Sequence, residues 1–375
     1  MLPLLRRVRG NRPGRPPSAR ASSFAATFAE RSARYWTPER LQALSGGRDL
    51  PLSPDKPGAA ALLRVIGLMG SDGSIGSEAV RKFRQINLLL LEVERHLAPH
   101  ASRPTRKPLR VLELASGQSQ LSLLLAHAAA HRWGRPAQVL AVDRDVTRVQ
   151  RAERRAHALG LSHAVVQRRS EIGQLGRWED EHAAAFPPRD GAAAPPGPPH
   201  LAVALHACDT ASDDALAQAV RARSLLIACA PCCHAQLARR WSELPDRLVQ
   251  LHPLRTIHTV PHLRSETAAH VADALPLSHA LAEASATCRQ AAHVTDAMRV
   301  ALLRAAGYRV AASEFVAPEH TPKNRLLLAG RLRAGVPATR AAQEEGLAEY
   351  VALKSATGGA GIALEGLLGS VGIRT

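Results

Sequence analysis

The sequence predicts an α/β protein: a mostly parallel, seven-stranded sheet with helices on both faces and a helical extension at its N-terminal side. Three observations carry this. Short apolar runs alternate with helix-period segments from Leu109 onward. The first run stops at the small residues Ala115-Ser116-Gly117 and the second at Asp143. Two late runs, Tyr308–Val316 and Arg325–Leu332, suit a closing pair of strands.

Taken in order, residues 1–35 are rich in Arg, Pro and Ser without an apolar period, so they are predicted to be disordered. An Arg-rich, acid-poor start also has the composition of an organellar transit peptide. Residues 36–104 are predicted helical. From Glu78 to Leu97, Val80, Phe83, Ile86, Leu90, Val93 and Leu97 recur at spacings of three and four, while Arg81, Lys82, Arg84, Gln85 and Asn87 form the polar side. The α/β domain spans 105–335. Its strands are predicted at Leu109–Leu114, Gln138–Val142, His163–Arg168, Leu201–Leu205 and Leu225–Ala230 before the closing pair. Helices fall at Leu121–His131, Val146–Leu159, Ser212–Arg221 and about 280–306, with a Pro/Gly/Ala loop at 186–199 and a His- and Pro-rich insertion at 246–275. Residues 336–375 read as helix, glycine-rich turn, helix.

Composition narrows the class. Hydrophobic residues make up 46% of the 375 but aromatics only 3%, so the core is built from Leu, Val and Ala. No run of about 18 apolar residues is present, and no membrane span is expected. Five cysteines, two of them adjacent, fit free thiols in a reducing cytoplasm better than a disulfide framework; organellar import is the alternative location. The net charge of +17 invites a polyanion. However, residues 1–35 hold eight Arg and one Glu, supplying +7 of it, and 44 of the 49 basic residues are Arg, the mark of a coding bias.

The turn after the first strand, Glu113-Leu114-Ala115-Ser116-Gly117, is small enough to bring backbone N–H groups against a ligand. Glu113 can meet a cationic group there. Asp143, followed by Arg144, can accept both hydroxyls of an adenosine ribose. A dinucleotide site needs G-x-G-x-x-G to cradle pyrophosphate. Residues 115–120 read A-S-G-Q-S-Q, which favours an adenosine cofactor without phosphate, S-adenosylmethionine (SAM), over NAD; an ordinary strand–helix turn with a capping Asp is the bland alternative.

Two polar clusters follow otherwise apolar strands: Leu205-His206-Ala207-Cys208-Asp209 and Ala230-Pro231-Cys232-Cys233-His234. Ligands of open α/β sheets bind at these carboxyl ends. Asp209 or Asp213 could instead cap a helix, and Cys229 inside its strand is a packing residue. For the Pro-Cys-Cys-His run, four readings stand: a rigid wall over a transferring methyl, a cysteine nucleophile with His234 or His206 lowering its pKa, a thiolate/imidazole metal site with Cys208, and packing.

These segments, with Arg81-Lys82-Phe83-Arg84-Gln85-Ile86-Asn87 before the domain and Thr321-Pro322-Lys323-Asn324 near its end, resemble a bacterial-type branch of methyltransferases related to eukaryotic tRNA ribose 2′-O-methyltransferases. The likeness covers about residues 78–332 and rests on four motifs in the expected order. It implies a Rossmann-like class I methyltransferase fold, SAM as cofactor at Glu113, Ala115, Ser116, Gly117, Asp143 and Arg144, and catalytic residues His206, Asp209, Cys232, Cys233 and His234. Lys82, Lys323 and Asn324 would contact substrate. Two residues depart from the pattern: Ala115 stands where many methyltransferases have glycine, and Asp209 where the tRNA enzymes have glycine. The expectation is a SAM-dependent enzyme modifying tRNA or rRNA; the alternatives are a protein or small-molecule methyltransferase and a non-catalytic SAM- or RNA-binding module.

Overall fold

A computed structural model describes residues 28–101, 105–187, 195–205, 207, 209–231, 235–242, 280–314 and 325–369. The predicted insertion at 246–275 lies outside them. The N-terminal elements are α1 (28–35), α2 (Pro38–Ser45), α3 (Ala59–Val65) and α4 (Ser77–Ala101). The α/β region runs β1 (Leu109–Leu114), α5 (Gln120–His131), β2 (Ala137–Asp143), α6 (Val146–Ala158), β3 (Val165–Arg169), α7 (Trp178–Ala185), β4 (Leu201–Leu205), α8 (Thr210–Arg221), β5 (Leu226–Ala230) and α9 (Ala235–Ser242). After these come α10 (Ala280–Ala305), β6 (Tyr308–Glu314), β7 (Arg325–Arg331), α11 (Pro337–Ala356) and α12 (Ala363–Gly369).

The seven strands lie in the order β3-β2-β1-β4-β5-β7-β6; β1 to β5 are parallel, and β7 is antiparallel to both β5 and β6. Alternation along each strand divides the core. Leu109 and Val111 of β1 and Val139 of β2 face α5 and the N-terminal helices, whereas Leu112, Leu114, Leu140 and Val142 face α8, α10, α11 and α12. Each fully buried Leu or Val contributes roughly 1.5–3 kcal/mol.

Two expectations change. Residues 28–35, which the sequence places in a disordered tail, form a helix that buries Phe28 and whose Ser32 is buried beneath Gly73. Asn87, expected on the solvent side of α4, is buried: its Oδ1 accepts from Leu52 N–H at 2.8 Å, and its Nδ2 donates to the Phe83 carbonyl at 3.1 Å. An amide that satisfies neighbouring backbone groups can be buried cheaply. Phe83 packs in the core, and Arg84 donates to the carbonyls of Ala43 and Leu44 at the end of α2. The 81–87 motif thus staples residues 43–52 to α4, largely through backbone contacts that no periodicity displays.

Candidate active site

The turn between β1 and α5 is unusually left-handed. Ala115, Gly117 and Ser119 have φ of +56°, +57° and +51°. Such values cost a non-glycine residue energy and persist only where the surroundings fix them. Here contacts from β2, β3, α4 and the residue after α3 do so. Ser116 N–H donates to Val142 at 2.9 Å, Gly117 N–H to the Asp143 carboxylate at 2.7 Å, and the Ser119 hydroxyl to Gln167 Oε1 on β3 at 2.7 Å. Gln120, the first residue of α5, accepts from Lys82 Nζ at 3.1 Å and donates to the Ile66 carbonyl at 2.9 Å. Lys82, expected to contact substrate, therefore touches the residue that begins the helix after the turn.

In front of this turn there is room for a ligand. A Cβ added to Gly117 meets nothing within 4 Å, and the buried Ser116 Oγ has no hydrogen-bond partner among the described residues. Asp143 is 6% exposed; its Oδ2 accepts from Gly117 and its Oδ1 from Asp145 N–H at 2.9 Å. Each oxygen retains a second lone pair for a ribose hydroxyl, so the turn and its acid fit an adenosine. Arg144 is exposed beside it.

Glu113 sits differently from expectation. Its carboxyl lies under the turn, 4% exposed, and accepts from the Ser122 hydroxyl of α5. Burial first, and then the neighbouring Asp143 charge, push its pKa up to about 8 although the Ser122 contact opposes the rise. It supports the turn from behind rather than lying open at its surface.

At the end of β4, Asp209 has φ +51° and ψ −120°, a region that is essentially glycine's. This agrees with the glycine expected at that position from the resemblance. Its carboxylate, expected to take part in catalysis, makes two contacts: Oδ1 accepts from Gln236 N–H in the first turn of α9 at 3.0 Å, and Oδ2 faces Arg239 at 3.3 Å. It caps the helix that follows β5, not its own, and so ties together the two loops that carry the polar clusters. Beneath it lies a network missed at the sequence level. Arg299 on α10 is 1% exposed, pairs with Asp213 at 2.8 Å and Asp296 at 3.3 Å, and donates to the Asp209 carbonyl at 3.1 Å. Asp296 also faces Arg325 at 3.6 Å, directly after the 321–324 motif. Burial opposes the Arg299 charge, but Asp213 and Asp296 raise its pKa and keep it cationic. The only sequence signal was an Arg and an Asp three apart on a helix, indistinguishable from a surface pair. His206, Cys208, Cys232, Cys233, His234, Lys323 and Asn324 lie outside the described residues.

The strand order with its antiparallel β7 is that of a Rossmann-like class I methyltransferase, and residues 81–240 match the family model described as a methyltransferase domain. Residues 81–240 are thus a methyltransferase domain, an enzyme domain with SAM as its cofactor. Solved structures similar to it include the ribosomal protein L11 methylase from Lactobacillus delbrueckii subsp. bulgaricus, at 14% identity over 67% of this chain and 79% of that one, TM-score 0.32. An O-methyltransferase family protein from Burkholderia thailandensis matches at 14% identity over 69% and 61%, TM-score 0.32. A geranyl diphosphate methyltransferase in complex with SAM matches at 14% over 69% and 93%, TM-score 0.30. The chain spans from 47% to 79% of the first four structures it matches. No curated protein matches it. Among the described residues no helix is long and apolar enough to cross a membrane.

Proposed function

We propose that this enzyme methylates RNA, a tRNA or an rRNA, at a ribose oxygen or a base. The observation that carries the reading is a rim of guanidinium groups beside the cofactor turn. Arg144 directly after Asp143, Arg148 and Arg151 on α6, and Arg169 at the end of β3 are all exposed. They surround the carboxyl ends of β2 and β3, where phosphate groups of a bound polynucleotide would gain charge-assisted contacts. Of these, Arg148 shares its charge with Asp145 at 3.6 Å.

When bound, SAM supplies an electrophilic methyl group on a sulfonium. Gly117 gives the cofactor close approach to main chain, Asp143 accepts from its ribose, and Glu113 holds the turn through Ser122. A substrate hydroxyl that took this methyl would have to give up its proton to a base of the chain. That base is assigned to His206, with Asp209 as the alternative; Asp209 already accepts from Gln236 and faces Arg239. Alignment and exclusion of water supply the remaining rate. The test is transfer of labelled methyl from SAM, by the purified protein, into RNA, protein and metabolite fractions from cells that lack it. Label in RNA is expected, and label confined to protein or metabolites overturns the assignment.

A further inference from the structure

The sheet has a second end, and it is strongly basic. Segments 220–225, 306–309 and 331–343 contain six arginines and no Asp or Glu. The strand register brings them together: Tyr308 opens β6 opposite Arg331, the last residue of β7, while Leu226 of β5 pairs with Gly330. These are the amino ends of the parallel strands, opposite the cofactor turn. A cleft of about 370 Å3 opens there, lined by Arg223, Gly307, Tyr308, Arg331, Arg333 and Thr339 among others.

The two arginines of α10 nearest to this end of the sheet are neutralised. Arg299 has Asp213 and Asp296. Arg304, one helical turn away from the cleft, has Glu345 at 3.1 Å and Glu349 at 2.6 Å. No carboxylate pairs with Arg223, Arg331 or Arg333 among the described residues. Arg331 donates to the Arg223 carbonyl, and Arg223 itself sits at φ +54°, a conformation that holds it in the turn after α8. The Tyr308 hydroxyl is spent on the Ser224 carbonyl at 3.0 Å. The twenty-residue helix α11 starts at the same cleft, Thr339 in its first turn, and its amino end adds a favourable field for negative charge. Like charges gathered without counter-charges repel one another, and an anion relieves that repulsion.

We propose that this cleft is an anion site that takes a phosphate group, separate from the site of methyl transfer. The phosphate belongs either to a small phosphorylated ligand or to the backbone of a polynucleotide long enough to reach around the domain. The site does not depend on RNA being the methyl acceptor.

The full-length protein is titrated with pyrophosphate at low ionic strength, and separately with a structured RNA over a range of salt concentrations. The comparison is a variant carrying Arg223→Asn, which tolerates the left-handed backbone, and Arg333→Glu. Pyrophosphate affinity falling about tenfold or more in the variant, with SAM affinity unchanged, supports the site. If the RNA salt slope also drops, by about 2, the ligand is a backbone phosphate; if it does not, the ligand is a small phosphate compound. Should the wild type fail to bind pyrophosphate and the RNA slope be the same in both proteins, the anion site is overturned. Failure of methyl transfer to RNA alongside retained pyrophosphate binding removes the RNA reading and leaves this one standing.

Discussion

One carboxylate, Asp143, closes the turn at Gly117 and is the proposed acceptor for the cofactor ribose. Replacing it by Ala removes charged hydrogen bonds from both, so SAM affinity should weaken by about 1.5–3 kcal/mol, roughly ten- to hundredfold, by calorimetry; an unchanged affinity removes Asp143 from the cofactor site. Asp209 poses a different balance. Its backbone strain costs about 1–3 kcal/mol, and its cap on α9 returns about 1 kcal/mol. Asp209→Gly trades one for the other, whereas Asp209→Ala keeps the strain and loses the cap. Both variants lose the cap, so the Ala variant should be less stable than the Gly variant by the strain alone, about 1–3 kcal/mol in urea denaturation, and equal stabilities would show that the strain is not real. Glu113 gives a pH signature. Its pKa is about 8 in the fold against 4.5 for the ordinary group, so the folded state binds the proton more tightly. Its contribution is full below pH 4.5, drains away as pH rises toward 8 and stays lost above. Glu113→Gln is uncharged throughout and still accepts from Ser122. It should match the wild type near pH 4 and exceed it near pH 8; parallel stability curves would refute the buried, protonated carboxyl.

At the level of elements, α10 braces the loop after β4 through Arg299. Arg299 gathers Asp213 of α8, the Asp209 carbonyl and Asp296, which in turn faces Arg325 of β7. Removing one partner of a buried ion network leaves the others uncompensated, so Arg299→Met should cost about 3–5 kcal/mol by chemical denaturation. A loss under 1 kcal/mol would mean the network is solvated. The elements themselves were readable. Six of the seven strands begin within one residue of the segments given by apolar runs, and β3 within two, because a strand buried on both faces is written as an uninterrupted apolar run. Helix α7 was not anticipated, since Trp178-Glu-Asp-Glu-His182 has a single apolar anchor and no period. For the same reason α1 has no signature in the sequence, although Phe28 is buried.

Over the whole molecule, charge is distributed so that both ends of the sheet present arginine. If RNA engages the rim near Asp143 through about four phosphates, the plot of log affinity against log salt should have a slope near −3. Binding should then weaken about 60-fold between 50 and 200 mM salt. A shallow slope, measured by fluorescence anisotropy, would point to a neutral or small acceptor. The basicity could not be interpreted from composition alone, because an Arg that neutralises a buried Asp and an Arg that waits for phosphate count equally.

What the linear order of residues determined was the alternation of strand and helix, the position of the cofactor turn and the acid thirty residues beyond Glu113. These are local properties: side-chain period, turn size and the residue at a strand's end. Only the folded chain decided that Asp209 caps α9, that Asn87 is buried, that Glu113 lies behind the turn and that Arg299 joins the substrate loops. Glu113 meets Ser122 nine residues on, across the turn, while Asp209 meets Gln236, Asn87 meets Leu52 and Arg299 meets Asp213 and Asp209 at separations of 27 to 90 residues, and contacts at such separations leave no periodic trace in the residues that make them.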